Sequence, residues 1–100
     1  MDIIKKKTGT ELLVKVVGRL DTNTAPDLES SVLPDLKSCK KLTLELGELD
    51  YISSAGLRVV LTFYKSLSAD GKTMVVKHVN DEVMEVFDMT GFSSFLEFEE

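Results

Sequence analysis

The sequence predicts an α/β fold, a mixed β-sheet of four to five strands covered by helices, and three observations carry that expectation. Segments of strand period alternate along the chain with segments of helical period, and strands alternating with helices of this length pack as layers with the helices over the sheet. One hundred residues suffice for one ordinary domain and not for two, so residues 1–100 are expected to form one domain. Apolar residues make up 43% and charged residues 29%, near globular averages, so a single core is expected.

Each element has its own signal. Asp2 to Lys7 and Glu11 to Leu20 flank Thr8-Gly9-Thr10, and the second segment carries the β-branched Val14, Val16 and Val17, which predicts an opening hairpin. A helix start follows, with Thr24 as cap, Pro26 in the first turn and Asp27 three residues past the cap. Leu28, Val32 and Leu36 recur every four residues, but Pro34 interrupts them, so one bent helix or two short pieces are expected. Lys40 to Glu48 alternates Leu42, Leu44 and Leu46 with Thr43, Glu45 and Gly47, the period of a strand.

From Ser54 to Ala69 the period becomes helical: Leu57, Val60, Leu61, Tyr64 and Leu67 share a face, and Asp70-Gly71 is the stop. Val59 and Phe63 widen the apolar arc to about 200°. Either a neighbouring helix such as Asn80 to Thr90 covers them, or they lie partly exposed as the apolar part of a partner surface. Lys72 to Val79, with the run Thr73-Met74-Val75-Val76, reads as a short apolar strand. Asn80 or Asp81 then caps a last helix through Val83, Val86 and Phe87 to Gly91, and Phe92 to Glu100 is a short helix or an edge strand.

Charge and composition narrow the function. Twelve Lys and Arg against 17 Asp and Glu give a net charge of −5, which supplies no footprint for nucleic acid or anionic lipid. Cys39 is the only cysteine, and neither a signal peptide nor a long apolar run is present, so a cytoplasmic protein is expected. Gly71-Lys72-Thr73 has the ending of a phosphate-binding loop, but Ser66 stands where that loop needs its first glycine, and the tripeptide ends a helix instead of opening one. His78 is the only histidine and has no convergent partner for metal binding or acid–base work. Cys39 stands between Ser38 and Lys40 with no histidine nearby, and no role is assigned to it. No catalytic residue, no cofactor and no metal are expected.

Function in α/β folds gathers where a strand end meets a helix start. Two such corners exist, Leu20 to Ala25 and Leu49 to Leu57. In the second, Ser53 and Ser54 stand where an alternating strand gives way to an amphipathic helix, which puts one of them at the N-cap. Capping explains one serine but not the pair followed by Ala55-Gly56, since a glycine in a helix costs about 1 kcal/mol relative to alanine. Such a glycine permits close approach to the backbone, and helix N-termini receive anionic groups. A serine nucleophile would need a general base, and the one imidazole has no recognisable orienting group.

The run Ser53-Ser54-Ala55-Gly56-Leu57, preceded by Leu42 to Leu46 and by Gly18-Arg19-Leu20-Asp21 with Thr24 three residues on, resembles the STAS family of bacterial anti-sigma factor antagonists. The similarity extends to Met89-Thr90-Gly91 and covers nearly the whole chain. It implies a phospho-switched binding protein without catalysis of its own. The unmodified form binds an anti-sigma factor that is also a serine kinase and so releases a sigma factor; phosphorylation of Ser54 blocks binding. Ser53 is the alternate acceptor. The resemblance further implies a partner surface containing Asp21, Thr24, Ser53, Gly56 and Leu57, and a PP2C-type phosphatase as a further candidate partner. Ser53 stands where the family has aspartate, Ala55 where it has a second hydroxyl, and Glu45 where an aspartate is common in the preceding strand. The alternative is a constitutive scaffold or sensor module of the same fold, with Ser54 as a plain cap. Asp21 and Asp50, if close together, would deepen a negative patch beside the serines.

Overall fold

Two antiparallel strands open the fold in the computed structural model, which describes residues Met1–Glu100. Strand β1, Asp2–Thr8, pairs with β2, Glu11–Leu20, across a two-residue turn in which Gly9 has φ +60°, a left-handed conformation that glycine adopts without a Cβ penalty. Helix α1, Ala25–Val32, continues into a 3-10 turn, Leu33–Ser38. The break falls beside Pro34, whose ring and missing N–H end regular helix, so the two-piece expectation is the one realised.

The remaining order is β3 (Lys41–Glu45), β4 (Leu49–Ile52), α2 (Ser54–Ala69), β5 (Thr73–Lys77), α3 (Asp81–Met89), a 3-10 turn (Phe92–Ser94) and β6 (Glu97–Glu99). The sheet runs β1-β2-β3-β5-β6, antiparallel at β1–β2 and parallel elsewhere. The expected mixed sheet under helices is present, with a short 3-10 turn and then an edge strand in the tail.

One strand more than expected is β4. Ten residues long, β2 serves two neighbours: Glu11–Lys15 pair with β3, and Gly18–Leu20 pair in parallel with β4. Gly18 faces Leu49 and Arg19 faces Tyr51, so Asp50 has no counterpart and forms a bulge. Along β4, Leu49 and Ile52 are buried while Asp50 and Tyr51 are exposed. That pattern lacks period-two alternation, which is why the segment read as part of a corner.

The core lies between the sheet and the helices. Alternate residues of β2, Leu12, Val14 and Val16, are buried with Leu42 and Leu44 of β3 and Val76 of β5. From the helices come Leu28 and Val32 of α1 and Leu57, Val60, Phe63 and Leu67 of α2. Val59 is 5% exposed and Phe63 fully buried, so they are core, not partner surface. The cover also differs from expectation: α2 packs on α1, the 3-10 turn after it, β4 and β5, whereas α3 packs on β4. Phe87 of α3 is fully buried and lies against Phe92 and Phe98, which gives the aromatic tail its place. Cys39 is buried, and burial pushes its thiol up against the opposing pull of Lys72 and Lys7, the behaviour of an unreactive structural cysteine. No helix is long and apolar enough to cross a membrane.

Candidate functional site

The site forms where β2 and β4 end side by side. The Ser53 N–H donates to the Leu20 carbonyl at 2.9 Å, which fixes the entry of α2 against the tip of β2. Ser53 is extended (φ −96°, ψ 175°), and its Oγ accepts from the Gly56 N–H at 3.3 Å. Ser53 is therefore the N-cap. Ser54 becomes the first helical residue, exposed, with a hydroxyl that makes no hydrogen bond within the chain. The reading of Ser54 as a plain cap is thus corrected: the capping task belongs to its neighbour, and the Ser54 oxygen is free.

At Gly56 the expected close approach is made within the chain. A Cβ there would stand 2.8 Å from Leu20 Cγ, 2.9 Å from Ile52 Cγ1 and 3.0 Å from the Leu20 carbonyl oxygen. What approaches this backbone is the chain's own β2 and β4. Gly56 and Leu57 are both buried, so they seat the helix and present no side chain to a partner. Gly56→Ala is expected to lower stability by about 1–3 kcal/mol through overpacking, outweighing the helix-propensity gain. A fall in the urea midpoint at constant slope checks this.

In the other corner Asp21 organises the turn before α1. Its Oδ1 accepts from the N–H groups of Asn23 at 3.0 Å and Thr24 at 3.1 Å and from the Thr24 hydroxyl at 3.2 Å. The Thr24 hydroxyl donates to the Arg19 carbonyl at 2.8 Å and accepts from the Asp21 N–H at 2.8 Å. Thr24 occupies the cap position of α1, but its side chain caps nothing; its hydroxyl ties the loop to the end of β2 instead. The Thr24 N–H bond foremost, with those of Asn23 and the Thr24 hydroxyl and the nearby Arg19 charge, holds the Asp21 carboxyl below its ordinary value of 3.8.

The consequence for stability has a definite sign. A depressed folded-state pKa stabilises the protein above the unfolded value, and that contribution is lost as pH falls through the lower folded value. Asp21→Ala is expected to melt at a lower temperature at neutral pH, with the gap to wild type closing below about pH 3.8. Melting curves at stepped pH check it; a gap that is unchanged by acid contradicts the turn assignment.

Asp50 is not part of this loop. It lines a surface hollow with Asn80, Asp81 and Glu82 at the start of α3, while Asp21 faces Arg19, with Oδ2 3.9 Å from Nε. Asp50 is thus grouped with the acidic start of α3, and Asp21 with Arg19. Asn80 caps α3 through Val83 N–H at 2.9 Å and donates to the Leu49 carbonyl at 2.7 Å, anchoring α3 to β4.

Sequence reasoning missed two features. Arg19 stacks over the Tyr51 ring at 4.3 Å, a cation–π contact between paired residues of β2 and β4; without β4 as a strand, nothing in the sequence pairs them. Glu45 has partners of its own, as its Oε1 accepts from Gly47 N–H at 3.1 Å and meets His78 Nδ1 at 2.8 Å. His78 has φ +59°, an uncommon conformation for a non-glycine residue. The one imidazole is thus engaged with Glu45 and with neither serine.

Fold and site together define a small α/β module with a hydroxyl at the start of α2 that is exposed and free of hydrogen bonds within the chain. Residues 2–100 match the STAS domain family. A relative described as a candidate anti-sigma factor antagonist, BtrV of Bordetella bronchiseptica, is 36% identical over 95 residues, covering 94% of this chain and 82% of its own. The anti-sigma-B factor antagonist of Bacillus subtilis is 23% identical over 92 residues, covering 92% and 84%. Among solved structures, the anti-sigma factor antagonist SpoIIAA in its unphosphorylated form superposes with a TM-score of 0.83 at 13% identity, over 99% of this chain and 88% of that one. The chain belongs to the STAS-domain family of anti-sigma factor antagonists, which are regulatory binding proteins.

Proposed function

We propose that this protein is a phospho-switched antagonist: unmodified, it binds an anti-sigma factor that is also a serine kinase, and so releases a sigma factor; phosphorylated on Ser54, it does not bind. The observation that carries the reading is the division of labour at the start of α2, where Ser53 caps and Ser54 keeps a free, exposed hydroxyl. Phosphoryl transfer needs such an oxygen in line with the γ-phosphate of ATP. The Oγ–P bond forms as the bond from the γ-phosphorus to the β,γ-bridging oxygen breaks; ADP leaves and the hydroxyl proton passes to a base of the kinase.

The fold tolerates the product. A phosphate brings about −1.5 to −2 charges, and an anion at a helix N-terminus is favoured by about 0.3–1 kcal/mol. The partner surface in this reading includes the exposed Ser54, the Asp21–Thr24 loop and the partly exposed Ser53. SpoIIAA, whose fold the chain shares, has also been solved in a phosphorylated form; a PP2C-type phosphatase would reset the same site here.

The test is calorimetric titration of the cognate anti-sigma factor kinase with the unmodified protein and with protein carrying phosphate on Ser54. Placing a phosphate in the contact is expected to weaken binding by about 100-fold or more, since misplaced charge in an interface costs several kcal/mol. Equal affinities would leave a constitutive binding module.

A further inference from the structure

We propose that Arg58 is the built-in counter-ion of a phosphate on Ser54, and that modification swings its guanidinium from the groove between α1 and α2 onto the start of α2. The inference rests on the phospho-switch reading and adds what the phosphate does once it is there. Ser54 and Arg58 are both in α2, four residues apart, which brings their Cβ atoms to about 6 Å on one face of the helix. An anion N-terminal to a cation at this spacing is the favourable order, because both then agree with the helix dipole.

The chain has two arginines, and they differ in occupation. Arg19 faces Asp21 and stacks on Tyr51. Arg58 is exposed, makes no ion pair and stacks on no ring in the unmodified protein. It lines a groove of about 310 Å³ with Ala55 on its own helix and Pro26 and Glu29 on α1. A planar fork of N–H donors matches two phosphate oxygens at once, which a lysine ammonium does not. Modification therefore alters the groove as well as the charge at the helix start: its one cation leaves, and Glu29 remains as the charged group on its wall.

Phosphoserine incorporated at position 54 during synthesis of the full chain makes the test independent of any kinase. The probe is the phosphate itself, titrated by phosphorus NMR. An isolated phosphoserine loses its second proton near pH 6, and an adjacent cation moves that value down. The charged side chains of the adjoining elements, Glu29 on α1, Arg19 on β2, Asp21 in the turn before α1, Asp50 on β4 and Asp81 and Glu82 at the start of α3, are the same in every variant. Arg58→Gln is expected to raise the value by about half a unit or more relative to wild type, and Arg58→Lys to recover part of the difference. The Arg58 Nε resonance should also shift on modification of the wild type. Coincident titration curves for wild type and Arg58→Gln would overturn the proposal, as would an Nε resonance unmoved by the phosphate. A kinase that leaves Ser54 unmodified would refute the phospho-switch reading while these titrations still read the pairing directly.

Discussion

Phe63→Ala is expected to remove about 3–5 kcal/mol of stability, the cost of deleting a buried aromatic side chain and leaving a cavity. Phe63 is fully buried at the middle of α2, on a helix that packs against α1, the following 3-10 turn and the strands. Domains of this size hold about 5–15 kcal/mol in total, so the variant should lose much of its margin and melt well below wild type. Urea unfolding followed by circular dichroism measures it. Val59→Ala should cost less, because fewer atoms are removed. If instead Phe63→Ala folded normally and lost only partner affinity, the residue would belong to an interface and the packing of α2 on α1 would be wrong.

That prediction also shows where the sequence was legible. Position in the period placed Phe63 between the apolar and polar faces of α2, and periodicity cannot say which neighbour covers a wide arc. The answer depends on topology: α1 lies beside α2, while α3 reaches β4. Elements whose signals are local were readable in advance, such as the hairpin at Gly9, the stop at Gly71 and a cap at Asn80 or Asp81, of which the structure uses Asn80. Strand β4 was not, because four residues with a bulge at Asp50 leave too little alternation to detect. The same gap hid the Arg19–Tyr51 stack.

At the site the sequence located the two serines, and geometry assigned their tasks. A cap is defined by backbone angles, and the extended Ser53 followed by a helical Ser54 settles which hydroxyl is engaged. Gly56 was correctly read as a close approach, but what approaches is the chain's own β2 and β4. Thr24 and Asp21 are joined to each other by hydrogen bonds, so what these two side chains set is the shape of the turn they hold.

Ser54→Ala is expected to abolish phosphorylation by the kinase, while Ser53→Ala keeps it. Ser53 Oγ is half-buried and accepts the Gly56 N–H; to act as acceptor it would have to abandon the cap, a loss of about 0.5–2 kcal/mol. Ser54 pays no such cost. Its replacement by alanine, a better helix former, should leave the fold at or slightly above wild-type stability. Ser53→Ala should lose the cap energy and still show phosphate localised to Ser54 by mass spectrometry of the digested protein. Ser54→Asp completes the set, because its two effects have opposite signs. A carboxylate at the first helical position stabilises α2 by about 0.3–1 kcal/mol, yet it should weaken partner binding, though less than phosphate, whose charge is about −1.5 to −2. A variant more stable and less able to bind cannot owe its lost affinity to unfolding. Phosphate found on Ser53 in the Ser54→Ala protein would reverse the assignment of acceptor, and undiminished affinity of Ser54→Asp would argue against an electrostatic switch.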